Sequence, residues 1–347
     1  MRRVEADRFG SPTQVLRLVE AATPVPGPGE LLLHSEAVGL NFLDVMLCQG
    51  DYPGQGAPPI VPGVEVVGRV VEAAPGAPFS VGQRVVSCPT MPTGALAECV
   101  VVDAALTVPV PDRLDPIEVA ALPVNYQTAW FALERAALRQ GETVLVHAGA
   151  GGVGIATTQL ALARGARVIA VAGGEHKAQL CREQGAIAVD HQREDFVDVV
   201  HELTGGLGVD VVIDPVGGQV QARSWPCLAF EGRLVVVGAA GGPPPAVDPM
   251  SLTAANISVI GLSWGSTYPW ERPDAVRDVY ERLFRMLGTE VRPVLDRVIG
   301  LEQAAVALTD LANRRTVGKV VVTPNGLPDQ MDDVDDMTPA SMTRETA

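Results

Sequence analysis

The chain has 347 residues, of which 47% are hydrophobic and 19% are charged, so it can form two globular domains and is not a disordered polymer. Its formal charge of −15 at pH 7 would repel nucleic acids and anionic lipids, and we expect neither as a partner. The sequence contains no apolar run of the length that a signal peptide or a membrane span requires, and its five cysteines lack paired spacing, which predicts reduced thiols and a cytoplasmic protein.

The first 120 or so residues consist of short β-like segments separated by turns. We predict strands at 30–38, 82–87 and 95–102, and a strand pair or a bent strand at 61–71. Helices are predicted to follow at 115–122 and 126–138. Short strands at this density predict a compact, barrel-like domain.

From Gly141 onward the chain alternates strands and helices. A predicted buried strand at 143–148 runs into the G-x-G-x-x-G arrangement of Gly149, Gly151 and Gly154, and a helix follows at 155–164. In such a turn, one glycine permits a sharp bend, one lets backbone N–H groups approach a pyrophosphate, and one lets the helix pack closely on the strand. The segment therefore predicts a dinucleotide site, and the alternative is a glycine-rich turn without a ligand. The residues assigned to it are Gly149, Ala150, Gly151, Gly152, Val153 and Gly154.

The rest of the chain extends this alternation. We predict further strands at 167–172, 188–190, 209–214, 232–238 and 257–262, and helices at 175–184 and 218–228. Together with the strand at 143–148 they form a doubly wound parallel sheet of six strands. Helices at 273–287 and 302–312 and a strand at 319–323 are expected to rejoin the first domain, so that the active site lies in the cleft between the domains.

The end of the second predicted strand of this sheet indicates which nucleotide binds. Folds that bind NAD place a carboxylate about 20 residues beyond the glycines, where it would repel a 2′-phosphate. Here the corresponding residues are Ala172, Gly173 and Gly174, and Lys177 stands one helical turn further on. This favours NADP. The alternative is that Lys177 is a solvated helix lysine, and Glu175 nearby weakens the case for a phosphate.

Several motifs resemble those of the zinc-independent medium-chain dehydrogenases/reductases (MDR), and within them the quinone oxidoreductases. The motifs lie at 41–46, 49–53, 61–65, 122–130, 148–161 and 318–319. The resemblance implies an α/β fold in which a Rossmann sheet is joined to a GroES-like, mainly β catalytic domain. The domains it implies are a catalytic domain at 1–122, an NADP-binding domain at 123–270, a return segment at 271–324 that completes the catalytic domain, and an acidic disordered tail at 325–347.

The resemblance also concerns metal binding. In the zinc-dependent branch of the superfamily a cysteine takes the place of Asn41, a histidine that of Val64, and a further cysteine lies near Val124. A valine cannot ligate zinc and an asparagine does so poorly, so no metal is predicted.

By resemblance, Asn41 lies at the nicotinamide and the acceptor, Tyr52 lines the substrate pocket, and Thr128 meets the nicotinamide carboxamide. Each has a structural alternative: Asn41 could hold a turn, Tyr52 could be a loop aromatic, and Thr128 could cap a helix. Asp44 is interpreted either as a helix-start residue or as part of a proton relay.

The resemblance further assigns residues to the cofactor. Gly173, Lys177 and Arg314 match the family pattern around the 2′-phosphate, whereas His191 replaces a tyrosine. A histidine can still stack on adenine or donate to a phosphate, although Asp190 beside it adds an opposing charge. Gly238, at the end of the predicted strand 232–238, is included among the cofactor-binding residues.

The expected function is hydride transfer from NADPH to a quinone or another conjugated enone, because such an acceptor delocalises the incoming charge without a metal. One alternative is reduction of an enoyl-CoA, and another is a structural or regulatory protein that binds NADPH. A homodimer is expected through the edge strand at 257–262, which could pair with its copy.

Overall fold

The structure is a computed structural model that describes residues 1–52, 54–89, 91–243, 246–265 and 267–326. Apart from its first two residues, the predicted acidic tail lies outside the described residues.

Within the described residues, fifteen strands form three sheets. In chain order they are β1 (Arg2–Ala6), β2 (Leu16–Glu20), β3 (Glu30–Gly39), β4 (Val66–Ala73), β5 (Arg84–Ser87), β6 (Cys99–Asp103), β7 (Val108–Pro109), β8 (Thr143–Val146), β9 (Arg167–Ala172), β10 (Ile187–Asp190), β11 (Val209–Asp214), β12 (Leu228–Val236), β13 (Ser258–Gly261), β14 (Leu295–Ile299) and β15 (Lys319–Val322).

Twelve α-helices connect them. They are α1 (Pro12–Val15), α2 (Phe42–Gln49), α3 (Pro116–Val119), α4 (Gln127–Arg135), α5 (Gly152–Ala163), α6 (Glu175–Glu183), α7 (Phe196–Thr204), α8 (Gly218–Ser224), α9 (Pro249–Thr253), α10 (Tyr268–Glu271), α11 (Pro273–Met286) and α12 (Ala304–Ala312). A π-helical turn (Leu122–Tyr126) leads directly into α4.

Six parallel strands form a doubly wound sheet in the order β10-β9-β8-β11-β12-β13. The strand order reverses at β8, so the glycine turn after β8 lies at the switch point of the sheet, where such folds bind ligands. The predicted six-stranded Rossmann sheet is therefore confirmed.

The remaining strands form a two-stranded ribbon, β1-β2, and a sheet in the order β14-β15-β3-β4-β5-β7, with β6 also paired to β3. β15 runs antiparallel to β3, so the end of the described chain returns to the N-terminal sheet. In contrast, α11 packs on α4 and its apolar side chains join the core between the two sheets.

One apolar core is continuous between the two sheets. It includes Val67 and Val321 of the N-terminal sheet, Leu133 of α4 and Val144 of β8. A second core lies under the other face of the N-terminal sheet, and a third lies under the other face of the parallel sheet. Because the first core joins the sheets, the carboxyl edge of β8 lies beside the carboxyl end of β3.

The structure corrects several predicted boundaries. Of the strand pair or bent strand predicted at 61–71, the regular strand β4 begins at Val66, and Val61 forms an isolated bridge with Thr93. Between them Gly63 takes a left-handed conformation with φ of 102°, and its N–H donates to the Asp44 side chain. The helix α7 and the strands β1, β2 and β14 were not predicted, and of α2 only its start, at Asp44, was anticipated by one interpretation. α2 has apolar residues around most of its circumference, so its sequence lacks the alternating polar face that marks a surface helix.

Candidate active site between the sheets

The glycine turn is built without a left-handed glycine. The residue that turns the chain after β8 is Ala148, with φ of 49°. Gly154 is required for close packing, because a Cβ there would lie 2.3 Å from the carbonyl oxygen of Ala148. At Gly149 a Cβ would approach the Cβ of Ala170 on β9 to 2.8 Å. The glycines thus keep the start of α5 close to the sheet and leave a cradle free of side chains, which fits a pyrophosphate.

The turn is held from its other side by the start of β15. The Gly318 N–H donates to the Ala150 carbonyl oxygen at 2.8 Å, and Gly318 and Gly151 form a parallel bridge. Asn125, just before α4, packs on Gly152 so closely that a Cβ there would lie 2.1 Å from the Asn125 Nδ2. The dinucleotide turn therefore rests on the N-terminal sheet.

The four residues predicted around the 2′-phosphate lie in two contacting pairs. The His191 ring lies against Gly173, where a Cβ would be 2.9 Å from Nε2. The Lys177 Nζ donates to the Arg314 carbonyl oxygen at 2.7 Å. Lys177 is half-buried, and this burial lowers the pKa of its ammonium group.

Asp190, whose charge was expected to oppose a phosphate, is directed into its own turn. Its carboxylate accepts the N–H groups of Gly174 and Gln192 at 2.7 and 3.1 Å. These bonds lower the pKa of the carboxyl, the Gly174 bond being the largest cause, so the group is ionised at neutral pH. Its charge is already shared with backbone donors, which weakens its effect on a neighbouring phosphate.

Asn41 lies immediately before α2, and both ends of its side-chain amide are bound. Its Nδ2 donates to Glu65 Oε1 at 2.7 Å and to the Gly39 carbonyl oxygen at 3.3 Å, and its Oδ1 accepts from Lys319 Nζ at 2.7 Å. The Lys319 ammonium also forms an ion pair with Glu65. We call Asn41, Glu65 and Lys319 the buried polar cluster, since at most 6% of any of the three is exposed.

The buried polar cluster is fixed to the surrounding backbone. Glu65 Oε2 accepts the N–H of Val124 at 2.7 Å. Next to the cluster, the fully buried carboxylate of Asp44 accepts the N–H groups of Asn41 and Gly63, both at 2.8 Å. Burial raises the pKa of Asp44 to about 6, although these hydrogen bonds oppose the rise. Asp44 is thus a helix-start residue, as one of its two interpretations predicted.

Sequence reasoning did not assign Glu65 or Lys319 to the site, although both belong to motifs that carry the family resemblance. One signal was available: Lys319 opens a strand whose other three residues are all valine, and a charged residue in a buried strand needs a partner. The identity of that partner was not available, because Glu65 is 254 positions away.

The other predicted residues surround this region. Thr128 is buried in the first turn of α4. Tyr52 is half-buried in the loop after α2, where its backbone N–H donates to the Gln55 side chain at 3.0 Å. Gly238 lines a groove of about 590 Å³ at the carboxyl ends of β12 and β13. The loop after β13 extends to α2, since a Cβ at Gly265 would contact the Leu43 side chain at 3.5 Å.

The donor set does not fit zinc. Of the side chains at the buried polar cluster only Glu65 is a good ligand, and its carboxylate is paired with an ammonium. Across residues 1–326, apart from the five positions that the structure does not describe, no group of three or more His, Cys, Asp or Glu side chains could hold a metal ion. No helix within these described ranges is long and apolar enough to cross a membrane.

Comparisons with known proteins identify relatives over most of the chain. Residues 27–112 match the family model of the alcohol dehydrogenase GroES-like domain, and residues 152–282 match that of the zinc-binding dehydrogenases. Quinone oxidoreductase-like protein 2 of Bos taurus is 37% identical over 310 residues, which cover 88% of each chain.

Solved structures agree with this assignment. The Escherichia coli quinone oxidoreductase complexed with NADPH has a TM-score of 0.86 and 28% identity, covering 93% of this chain and 100% of the other. The Thermus thermophilus quinone oxidoreductase, solved alone and with NADPH, has a TM-score of 0.79 and 36% identity, with the same coverage. The chain therefore belongs to the quinone oxidoreductase family of the medium-chain dehydrogenases/reductases, as its motifs predicted.

Proposed function

We propose that this NADPH-dependent oxidoreductase transfers a hydride to a quinone or to another conjugated enone, and that it does so without zinc. The observation that carries the proposal is the position of Asn41, which is fixed in a buried polar cluster at the end of β3 while the dinucleotide turn rests on the adjacent β15. A cofactor in the turn and an acceptor beside Asn41 would share the cleft between the two sheets.

The cofactor is supported by the cradle and by the two relatives that hold NADPH. We assign the pyrophosphate to the turn, the 2′-phosphate to the surroundings of Lys177, and the nicotinamide to the region of Asn41, Thr128 and Gly238. When bound, NADPH would supply the hydride. The Lys177 ammonium donates to a neutral carbonyl oxygen and also interacts electrostatically with the Asp296 carboxylate, with which a phosphate would compete. His191, Gly173 and Arg314 complete this pocket.

The chain's own residues would orient and enclose the reactants. Asn41 supplies a polar group whose direction is fixed, and Tyr52 covers the cleft from the loop after α2. The apolar core around the cleft excludes water, which favours hydride transfer over side reactions. A conjugated acceptor takes the hydride at carbon and delocalises the charge, so this arrangement requires no Lewis acid. The mismatch of the donor set with zinc supports this part of the proposal.

A coenzyme A thioester is a weaker candidate, because its phosphates need free cations. Arg69 and Arg84 both bind the Glu36 carboxylate, at 3.0 and 2.6 Å, so their charges are already paired.

We also retain the predicted organisation of the chain as a proposal. Residues 1–122 and 271–324 would form the GroES-like catalytic domain and residues 123–270 the NADP-binding domain. A homodimer would form through β13, which is the edge of the parallel sheet and pairs only with β12 within the described part of the sheet. The five cysteines are free thiols, which supports a reducing compartment such as the cytoplasm.

The function is tested by following NADPH oxidation against a quinone, a simple enone and crotonyl-CoA. We expect turnover with the quinone or the enone, a preference for NADPH over NADH, and a loss of about 10²-fold in kcat for Asn41→Ala. Turnover with crotonyl-CoA alone would make the protein an enoyl thioester reductase. NADPH binding without oxidation of any acceptor would leave only a binding role.

A further inference from the structure

We infer that Lys319, paired with Glu65, is a positioning residue that holds Asn41 in its reactive orientation and links it to the dinucleotide turn. This inference rests on the proposed function of the cleft, and it assigns a role that the family resemblance did not.

The first support is the use of lysine in this chain. Of its 26 basic residues, 24 are arginines and only Lys177 and Lys319 are lysines. Lys177 lies at the proposed 2′-phosphate pocket, and Lys319 lies beside Asn41. An ammonium is a compact charge on a thin stem, and it fits a space that the planar guanidinium group does not.

The second support is the space around Lys319. A Cβ at Gly39 would lie 2.3 Å from Glu65 Oε1 and 2.5 Å from the Cε of Lys319, so the ion pair fits only because position 39 has no side chain. The glycine thus makes room for the lysine stem and its partner. Lys319 is 2% exposed, and its charge therefore serves no surface function.

The third support is connectivity. Lys319 follows Gly318, whose N–H donates to the glycine turn. Together with Asn125 and Gly152 these two residues line a small cavity of about 10 Å³. The path from the turn to Asn41 is therefore two residues long. Any displacement of β15 by the cofactor is transmitted directly to the Asn41 amide.

The orientation of the Asn41 amide depends on both charged partners. Its oxygen accepts from the ammonium and its nitrogen donates to the carboxylate. The opposite orientation would place two donors, or two acceptors, against each other. If both charges are removed together, only the longer bond from Nδ2 to the Gly39 carbonyl oxygen is left of these contacts, so the preference weakens. Neither member of the ion pair then remains as an unpaired buried charge.

The test compares the double variant Glu65→Gln/Lys319→Met with a control double variant, Glu142→Gln/Arg233→Met. The control removes a partly buried ion pair of 2.7 Å that lies before β8, at the opposite end of that strand from the glycine turn. Three quantities are measured: the dissociation constant of NADPH, the fluorescence lifetime of the bound reduced nicotinamide, and kcat.

We expect the site variant to bind NADPH within about 3-fold of the wild type, because the phosphates are held elsewhere. Its kcat should fall by about 30- to 100-fold and the nicotinamide lifetime should shorten, since misplacement of the reacting groups is costly. The control variant should keep both values. Wild-type kcat and lifetime in the site variant, or equal losses in the control, would overturn the inference.

A second measurement needs no variant. With Nζ of lysine labelled by ¹⁵N, the protein gives two side-chain signals, one from each lysine. NADPH should shift both, whereas 2′,5′-ADP, which lacks the nicotinamide, should shift only that of Lys177. A Lys319 signal that NADPH leaves unmoved would refute the link. If the wild type reduces no acceptor, the proposed function fails, but the lifetimes and the lysine signals still decide the role of Lys319.

Discussion

The two lysines of the chain lie in regions of opposite character. Lys177 is half-buried, and the structure gives it one hydrogen-bond partner, a neutral carbonyl oxygen; Lys319 is buried and bound to a carboxylate and an amide. The half-buried Lys177 ammonium can still bind a phosphate, whereas the Lys319 ammonium is already paired within the protein. We therefore expect the Lys177 region to control cofactor affinity and the Lys319 region to control the rate of hydride transfer.

The largest expected effect is that of breaking the buried pair. Lys319→Met should lower the free energy of unfolding by about 3–5 kcal/mol, because the Glu65 carboxylate would remain buried without a counter-ion. Adding Glu65→Gln should restore most of this loss. Denaturant titration of both variants measures it, and a single variant as stable as the wild type would show that the pair contributes little.

A comparable effect should appear in the dependence of stability on pH. Since the folded-state pKa of Asp44 is raised to about 6, the folded protein binds this proton more tightly than the unfolded chain does. The protonated carboxyl therefore contributes its full stabilisation, roughly 3 kcal/mol, below about pH 4. This contribution to the free energy of unfolding is lost as the pH rises through 6.

Asp44→Asn should remove this dependence. Between pH 4 and pH 7 the unfolding free energy of the wild type should therefore fall relative to that of the variant. Glu65 and Lys319 are the charged groups that act on Asp44, and the variant leaves both in place. Parallel pH profiles for the two proteins would contradict the raised pKa.

The glycine turn gives a smaller effect with a matched control. Gly154→Ala would force a Cβ against the carbonyl oxygen of Ala148, which should cost about 1–3 kcal/mol and weaken NADPH binding. Gly151→Ala meets the same oxygen only at 3.2 Å and should cost less than 1 kcal/mol. Thermal unfolding compares the stabilities of the two variants, and equal losses of stability would mean that close packing is not the reason for Gly154.

The smallest effect concerns the Lys177 region. Lys177→Ala should weaken NADPH binding by about 10-fold, which is about 1.4 kcal/mol, and leave NADH binding unchanged. Equilibrium titration with both nucleotides measures this. Equal weakening of both would assign Lys177 to another part of the cofactor.

The parallel sheet could be predicted because its strands are buried apolar runs separated by glycine turns and helices, a pattern that is visible within about 30 residues. The individual role of each glycine could not. The left-handed residue of the turn is Ala148, and only its tertiary contacts stabilise that conformation.

The candidate site was predicted less completely than the fold. Asn41 and Arg314 came from the family resemblance, whereas Lys177 was already indicated by its place one turn after β9. The structure places Lys177 in contact with Arg314 and Asn41 in a buried cluster. The pairing of Glu65 with Lys319 depends on how β15 returns to β3, and no local pattern encodes it. The pairing of buried charged residues that lie far apart in the sequence therefore could not be predicted.

The most direct test of the division between affinity and rate is single-turnover hydride transfer to a quinone, followed over a range of NADPH concentrations. For Lys177→Ala the account predicts a higher half-saturating concentration and an unchanged plateau. For Glu65→Gln/Lys319→Met it predicts the reverse, a lower plateau at nearly the same half-saturating concentration. A plateau lowered by Lys177→Ala, or one unaffected by the double variant, would contradict it.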